Sequence, residues 1–386
     1  MQTKDNKIKQ VYNLMPEKIP EEITEEDKKI FFSITSEELN REQIQRIKKP
    51  ERKYPHQKVV LATHWHPEFV PVELAMERMH AMFPGLKKEL IIPTQHNELL
   101  SYKEYSGVEV DCYAQGFNQK VQFLLHFEKQ KVENAATLRA MLEHTRKYRA
   151  SQLFDFIHAI NGKDDQKLQK AAQETGAGEE LIRFTRAYVS KIEMLIEENY
   201  ARLPANSIKN KILRNFFDSL RTKYPNQLIN RVQTFLKAIK ILVKADFNLS
   251  YFYRATEIIE ETRLHGGGIV IPHPEQFWPI LLAEYDVDGY EVWNPQSQRY
   301  TEFLISVVNR KNRERQNSQK ELLIFMGDDT HMGEKTKDPA YQNKTKADRE
   351  IGYQPAWDDL VIRKKLITSQ VSRSRTIDTY KERLAG

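Results

Sequence analysis

The stretch "VVLATHWHPEF", residues 59–69, decides how the fold is read. Val59 to Ala62 are apolar and β-prone, Thr63 follows, and two histidines then stand one residue apart before Pro67, whose ring and missing N–H discourage further strand. Side chains at i and i+2 of an extended segment point the same way, so His64 and His66 can reach one object together. That object is a metal ion, or the pair merely decorates a strand end. The other strand ends decide between the two.

Outward from this point, apolar segments predict strands at 58–63, 88–94 ("KELIIPT"), 107–114 ("GVEVDCYA"), 121–127 ("VQFLLHF"), 268–272, 288–293 and 321–326, seven in all. Helical patterns fall at 71–82, 275–284 and 297–310. From Val132 to Leu264 apolar residues recur at spacings of three and four, which predicts an all-helical block. The Lys- and Glu-dense N-terminus, with a capping-box pattern at Thr35 and Glu38, reads as a helical, partly mobile extension. The expected division is a charged extension at 1–57, a metal-binding barrel at 58–131 and 262–333, a helical insertion at 132–261 and a basic C-terminal segment at 334–386.

Composition narrows the chemistry. The 386 residues are 40% hydrophobic and 30% charged, a globular balance. No apolar run reaches membrane-spanning length and the N-terminus lacks a secretory apolar core, so no membrane association and a cytoplasmic address are expected. Cys112 is the single cysteine and reads as a small buried hydrophobe, so metal ligands must be nitrogen and oxygen. The net charge of +6 arises from 60 basic against 54 acidic residues, which permits an anionic substrate without demanding nucleic acid.

The strand ends carry a set of donors. The first offers His64 and His66, the second His96, the third Glu109, the fourth His126, the fifth His273, and the last Asp329 and His331. In a barrel of strands alternating with helices, the C-terminal rim is where different strands aim side chains at one centre. Six of the eleven histidines fall there, which favours a polynuclear metal centre over scattered structural histidines. Imidazole and carboxylate without thiolate suit Zn, Mn or Fe.

The motifs "THWHPE", "PTQHNE", "SGVEVD", "FLLHFE", "EETRLHGGGIVIPHP", "DVDGYEVWN" and "MGDDTH", in this order, resemble those of the polymerase and histidinol phosphatase (PHP) family of metal-dependent phosphoesterases. The resemblance implies an α/β fold, a distorted seven-stranded β/α barrel with a large all-helical insertion. It further implies two to three divalent transition metals: one at His64, His66, Glu109 and Asp329, a second bridged by Glu109 and held by His126 and His273, a third at His96 and His331. Glu109, Asp329 and His273 would be the catalytic core of phosphate-ester hydrolysis, with Arg263 and Lys335 as candidate phosphate contacts. Thr63 and Gln95 stand where the family usually has Asp.

A phosphorylated small molecule is the favoured substrate. The alternatives are a nuclease acting on nucleic acid through basic segments such as "IKNKILRN", an amidohydrolase-type metal hydrolase, and a metal-binding interaction protein. The "HGGG" at 265–268 would suit a lipase-type oxyanion loop, but the chain has no G-x-S-x-G to accompany it.

Overall fold

The computed structural model describes residues 20–162, 166–315, 319–339 and 342–386; the first 19 residues of the expected N-terminal extension lie outside the described residues. The chain divides into two compact units, one of the chain up to Glu37 with Lys147–Asn248, the other of Glu38–Arg146 with Leu249–Gly386.

The second unit is mixed α/β. Strand β1 (Val59–Ala62) pairs in parallel with β3 (Lys88–Ile91), and the two-residue β2 (Trp65–His66) with β10 (Thr330–His331). A six-stranded sheet runs in the order β4 (Leu100–Tyr102), β5 (Tyr105–Ala114), β6 (Gln119–Glu128), β7 (Gly268–Ile271), β8 (Gly289–Trp293) and β9 (Leu323–Met326). Neighbours from β4 to β7 are antiparallel, and β7, β8 and β9 are parallel.

Of the expected distorted seven-stranded β/α barrel with a helical insertion, the mixed α/β fold and the large helical region are present. Among the described residues the strands form three sheets rather than one ring. Moreover β5 and β6 are a hairpin, since the few residues between Ala114 and Gln119 cannot hold the crossover that parallel neighbours require. The sheets are linked by the parallel bridge between His96 and Glu109, by the Thr94 N–H donating to the Trp65 carbonyl at 2.9 Å, and by the Asp329 N–H donating to the His64 carbonyl at 2.9 Å.

The expected helix at 71–82 is Val72–Met82, which buries Ala75, Met79 and Met82 against Val60 and Ala62. The pattern at 275–284 is a 3-10 segment, Pro274–Leu281, kinked at Phe277, and that at 297–310 becomes the helix Thr301–Glu314. The basic C-terminal segment keeps Arg363, Lys364 and Arg375 exposed and packs by its apolar face. Its last helix, Arg373–Ala385, sinks Ile377, Tyr380 and Leu384 into the core formed by β5 to β9.

The first unit is helical, and Phe184, Tyr188, Phe216, Phe217 and Phe235 build its core from the predicted periodicity. The helix Glu25–Thr35 belongs to it, capped by Thr24 and Asp27, with Phe31 fully buried. Thr35 is therefore not an N-cap: its hydroxyl donates to the Phe31 carbonyl, and the next helix starts at a capping box of Asn40 and Gln43. Asp27 and Lys191 form a buried ion pair at 2.7 Å; burial pushes the Asp27 carboxyl up, but Lys191 and Thr24 hold it below its ordinary value.

Candidate metal centre

Local structure explains why the first two histidines converge. β2 pairs with β10 so that His66 lies opposite His331, and their rings stand 4.3 Å apart. His66 also stacks on His96 at 4.3 Å, which the bridge to Glu109 holds in place. His273 follows β7 and Asp329 follows β9, both in left-handed backbone conformations (φ 31° and 46°) that non-glycine residues rarely adopt. Such strain gathers where the surrounding structure holds a side chain in one required direction.

Seven of the eight expected ligands meet. Three groups of mutually close donor atoms occur: His64, His66 and Asp329; His64, Glu109 and His273; and His66, His96 and His331. Glu109 faces two ways. Its Oε1 lies 3.8 Å from His64 Nε2 and 3.5 Å from His273 Nε2, while its Oε2 lies 3.6 Å from His66 Nε2 and 2.5 Å from His96 Nδ1. Asp329 Oδ1 lies 3.5 to 3.7 Å from His66, His331 and His64.

These donors fit a metal. Most separations are too long for good hydrogen bonds, yet close to the edge of about 3.4 Å of a tetrahedron of ligands roughly 2.1 Å from an ion. His64 Nε2, both His66 nitrogens and His273 Nδ1 are buried without a hydrogen-bond partner among the described residues. Buried polar atoms are seldom left so. Burial would raise Glu109 and Asp329, but the surrounding imidazoles hold both carboxyls well below their ordinary values, so both are ionised. Burial opposes a charge on His64, yet Glu291, Asp329 and Glu109 raise it to about 10, a measure of how anionic the pocket is. His96 and His331 keep 29% and 17% of their side chains exposed while the other five are almost wholly buried, so the centre opens on their side.

The eighth expected ligand, His126, is placed elsewhere. Because β6 runs antiparallel to β7, His126 pairs with Gly268 at the start of β7, whereas His273 lies beyond its other end. His126 Nε2 donates to the Thr63 carbonyl at 3.0 Å, and Nδ1 accepts from the Tyr380 hydroxyl at 2.8 Å. Burial lowers its pKa to about 3, so it is a neutral core histidine with both nitrogens engaged. The candidate phosphate contacts are likewise engaged. Arg263 binds Asp286 and Asp288, the latter just before β8 and so at the far end of the parallel strands, and Lys335 binds Glu350 at 2.7 Å.

Three residues that sequence reasoning missed complete the centre. Glu291, inside β8, takes the His64 Nδ1 proton at 2.7 Å through Oε1 and the His273 N–H at 3.1 Å through Oε2. Gly327 makes room for it, since a Cβ there would overlap the Glu291 carboxylate. Gln296 and Arg349 donate to Asp329 Oδ2 at 2.7 and 2.6 Å, leaving Oδ1 to the histidines. The one available signal was an acid flanked by Tyr290 and Val292 in a buried strand. Arg349, in a charged loop, offered none.

No family model matches this chain, and no curated protein matches it. It is similar to a solved chain from Bifidobacterium adolescentis whose role as a metal-dependent phosphoesterase is itself an inference. The two are 16% identical, with 81% of this chain and 96% of that one covered and a TM-score of 0.37, so the reading of the centre rests on its own residues.

Proposed function

We propose that this chain hydrolyses a phosphate ester using two to three divalent transition ions, Zn, Mn or Fe, held by His64, His66, His96, Glu109, His273, Asp329 and His331. The observation that carries the reading is the two-faced Glu109 carboxylate, with imidazoles ranged on each of its oxygens. When bound, such ions lower the pKa of water and draw negative phosphoryl oxygens, so no Ser or Cys nucleophile is required.

The chain's own residues supply the rest. Glu109 would hold an ion on each of its oxygens. Glu291 would keep a proton on His64 Nδ1, so that Nε2 gives up its own to an ion and serves as the ligand atom. Arg349 and Gln296 occupy one Asp329 oxygen and fix the other. His96 and His331, the exposed ligands, mark the side from which a substrate approaches. The frame supporting this is a barrel-like arrangement of β1, β3 and β5 to β9, linked at the His96 bridge, with the helical residues inserted in sequence between β6 and β7. A phosphorylated small molecule remains the favoured substrate, with nucleic acid the alternative.

Metal analysis of the purified protein, followed by hydrolysis of a generic phosphomonoester and a short oligonucleotide with Mn, Zn or Fe, tests the reading. Two or three equivalents of metal are expected, with Glu109→Gln losing more than one of them and turnover falling at least about 100-fold. Undiminished turnover by metal-free protein would sink it.

A further inference from the structure

Away from the metal centre, a cavity of about 560 Å³ opens in the α/β unit beside the helix Arg41–Lys48 and residues 335–339 and 342–350. Its floor holds Arg78 and Lys335, only 5% and 6% exposed. Both lean on one carboxylate: Arg78 grips Glu350 through two hydrogen bonds of 2.6 and 2.8 Å, and Lys335 Nζ reaches the same group at 2.7 Å. Two buried cations thus share one partly exposed carboxylate, their other hydrogen bonds going to the neutral carbonyls of Arg46, Ile47 and Ala347.

The rim adds to the surplus. Lys49, Arg52 and Lys344 are exposed around the mouth, against Glu51 and Asp348. Arg46, also lining the cavity, donates to the carbonyls of Thr336 and Lys337 at 3.2 and 2.6 Å and so braces the wall. A buried positive charge without full compensation is unfavourable, and an anion entering the cavity relieves it. Burial and the neighbouring Arg78 press the Lys335 ammonium down against the pull of Glu350 and Asp348.

We propose that this cavity binds a phosphate-bearing small molecule, with Arg78 and Lys335 as its positive floor and Lys49, Arg52 and Lys344 as its rim. The volume is that of a small-ligand pocket, and guanidinium and ammonium groups together are the usual phosphate contacts. The cavity and the metal centre share no lining residue. Asp348 and Glu350 face the cavity, while Arg349 between them turns to Asp329. A ligand there therefore meets the same three-residue stretch that sets a metal ligand.

The test is calorimetric titration of the full-length, metal-loaded protein with adenosine 5′-monophosphate at low and moderate salt. A binding event separate from any uptake at the metal centre is expected, and it weakens at least tenfold in Lys49→Glu/Lys344→Glu, whose side chains are exposed and whose fold is checked by circular dichroism. It should weaken with salt and persist in Glu109→Gln and His96→Ala. Affinity unchanged in the rim variant, loss of binding in the two metal-centre variants, or no heat at millimolar nucleotide overturns the proposal. The second of these outcomes would place the nucleotide at the metal centre and leave the proposed function standing.

Discussion

At the scale of single residues, the centre depends on side chains that touch no metal position. Glu291 couples two ligands that lie far apart in sequence, taking the His64 ring proton with one oxygen and the His273 backbone N–H with the other. A carboxylate behind an imidazole fixes its tautomer and raises its basicity, and removing such a partner typically costs about 10- to 100-fold in metal affinity. Glu291→Gln preserves size but gives up the charge. It is expected to weaken metal binding by about that factor in competition with a chromophoric chelator, with far-UV circular dichroism unchanged. Affinity equal to the parent would show that His64 needs no orienting partner.

Among the secondary-structure elements, the β5–β6 hairpin and the last helix decide which histidines join the cluster around Glu109 and which is core. The antiparallel turn sends His126 to the far end of β7, where Tyr380 from the helix Arg373–Ala385 meets it over Gly268; a Cβ at Gly268 would overlap the Tyr380 hydroxyl. Tyr380→Phe removes one hydrogen bond and leaves a buried His126 nitrogen unsatisfied. A loss of about 1–3 kcal/mol is expected in urea unfolding, with full metal content. Loss of a metal equivalent in this variant, or in His126→Gln, would return His126 to the ligand set.

For the molecule as a whole, two separate apolar cores imply two responses to metal removal. All four tryptophans, Trp65, Trp278, Trp293 and Trp357, lie in the α/β unit, while long helices dominate the other. Fluorescence and the helical circular dichroism signal therefore report different units. An ion that binds only the folded state stabilises it by about 2.7 kcal/mol at 100 times its dissociation constant, and at roughly 2–4 °C per kcal/mol the midpoint moves by about 5–10 °C. Chelation is expected to lower the tryptophan-monitored midpoint by that amount and leave most of the helical transition in place. Coincident shifts of both signals would mean that the units unfold as one.

By itself the sequence determined the local elements and the donor types. The apolar runs from Val59, Gly268 and Leu323 became strands, the three-four spacing became a helical core, and a single cysteine left imidazole and carboxylate as the ligand chemistry, although Glu109 stands inside its strand rather than at the end. Periodicity and composition are local properties, readable without the rest of the chain. Tertiary structure alone decided direction and partnership. The short link between Ala114 and Gln119 hinted at a hairpin, but only strand pairing shows that His126 thereby lies at the start of β7, at the opposite end from His273. Glu291 and Arg349 reach His64 and Asp329 across separations of 227 and 20 residues. No sequence window contains such contacts, because they exist only once the sheet has set its register and the C-terminal segment has packed against it.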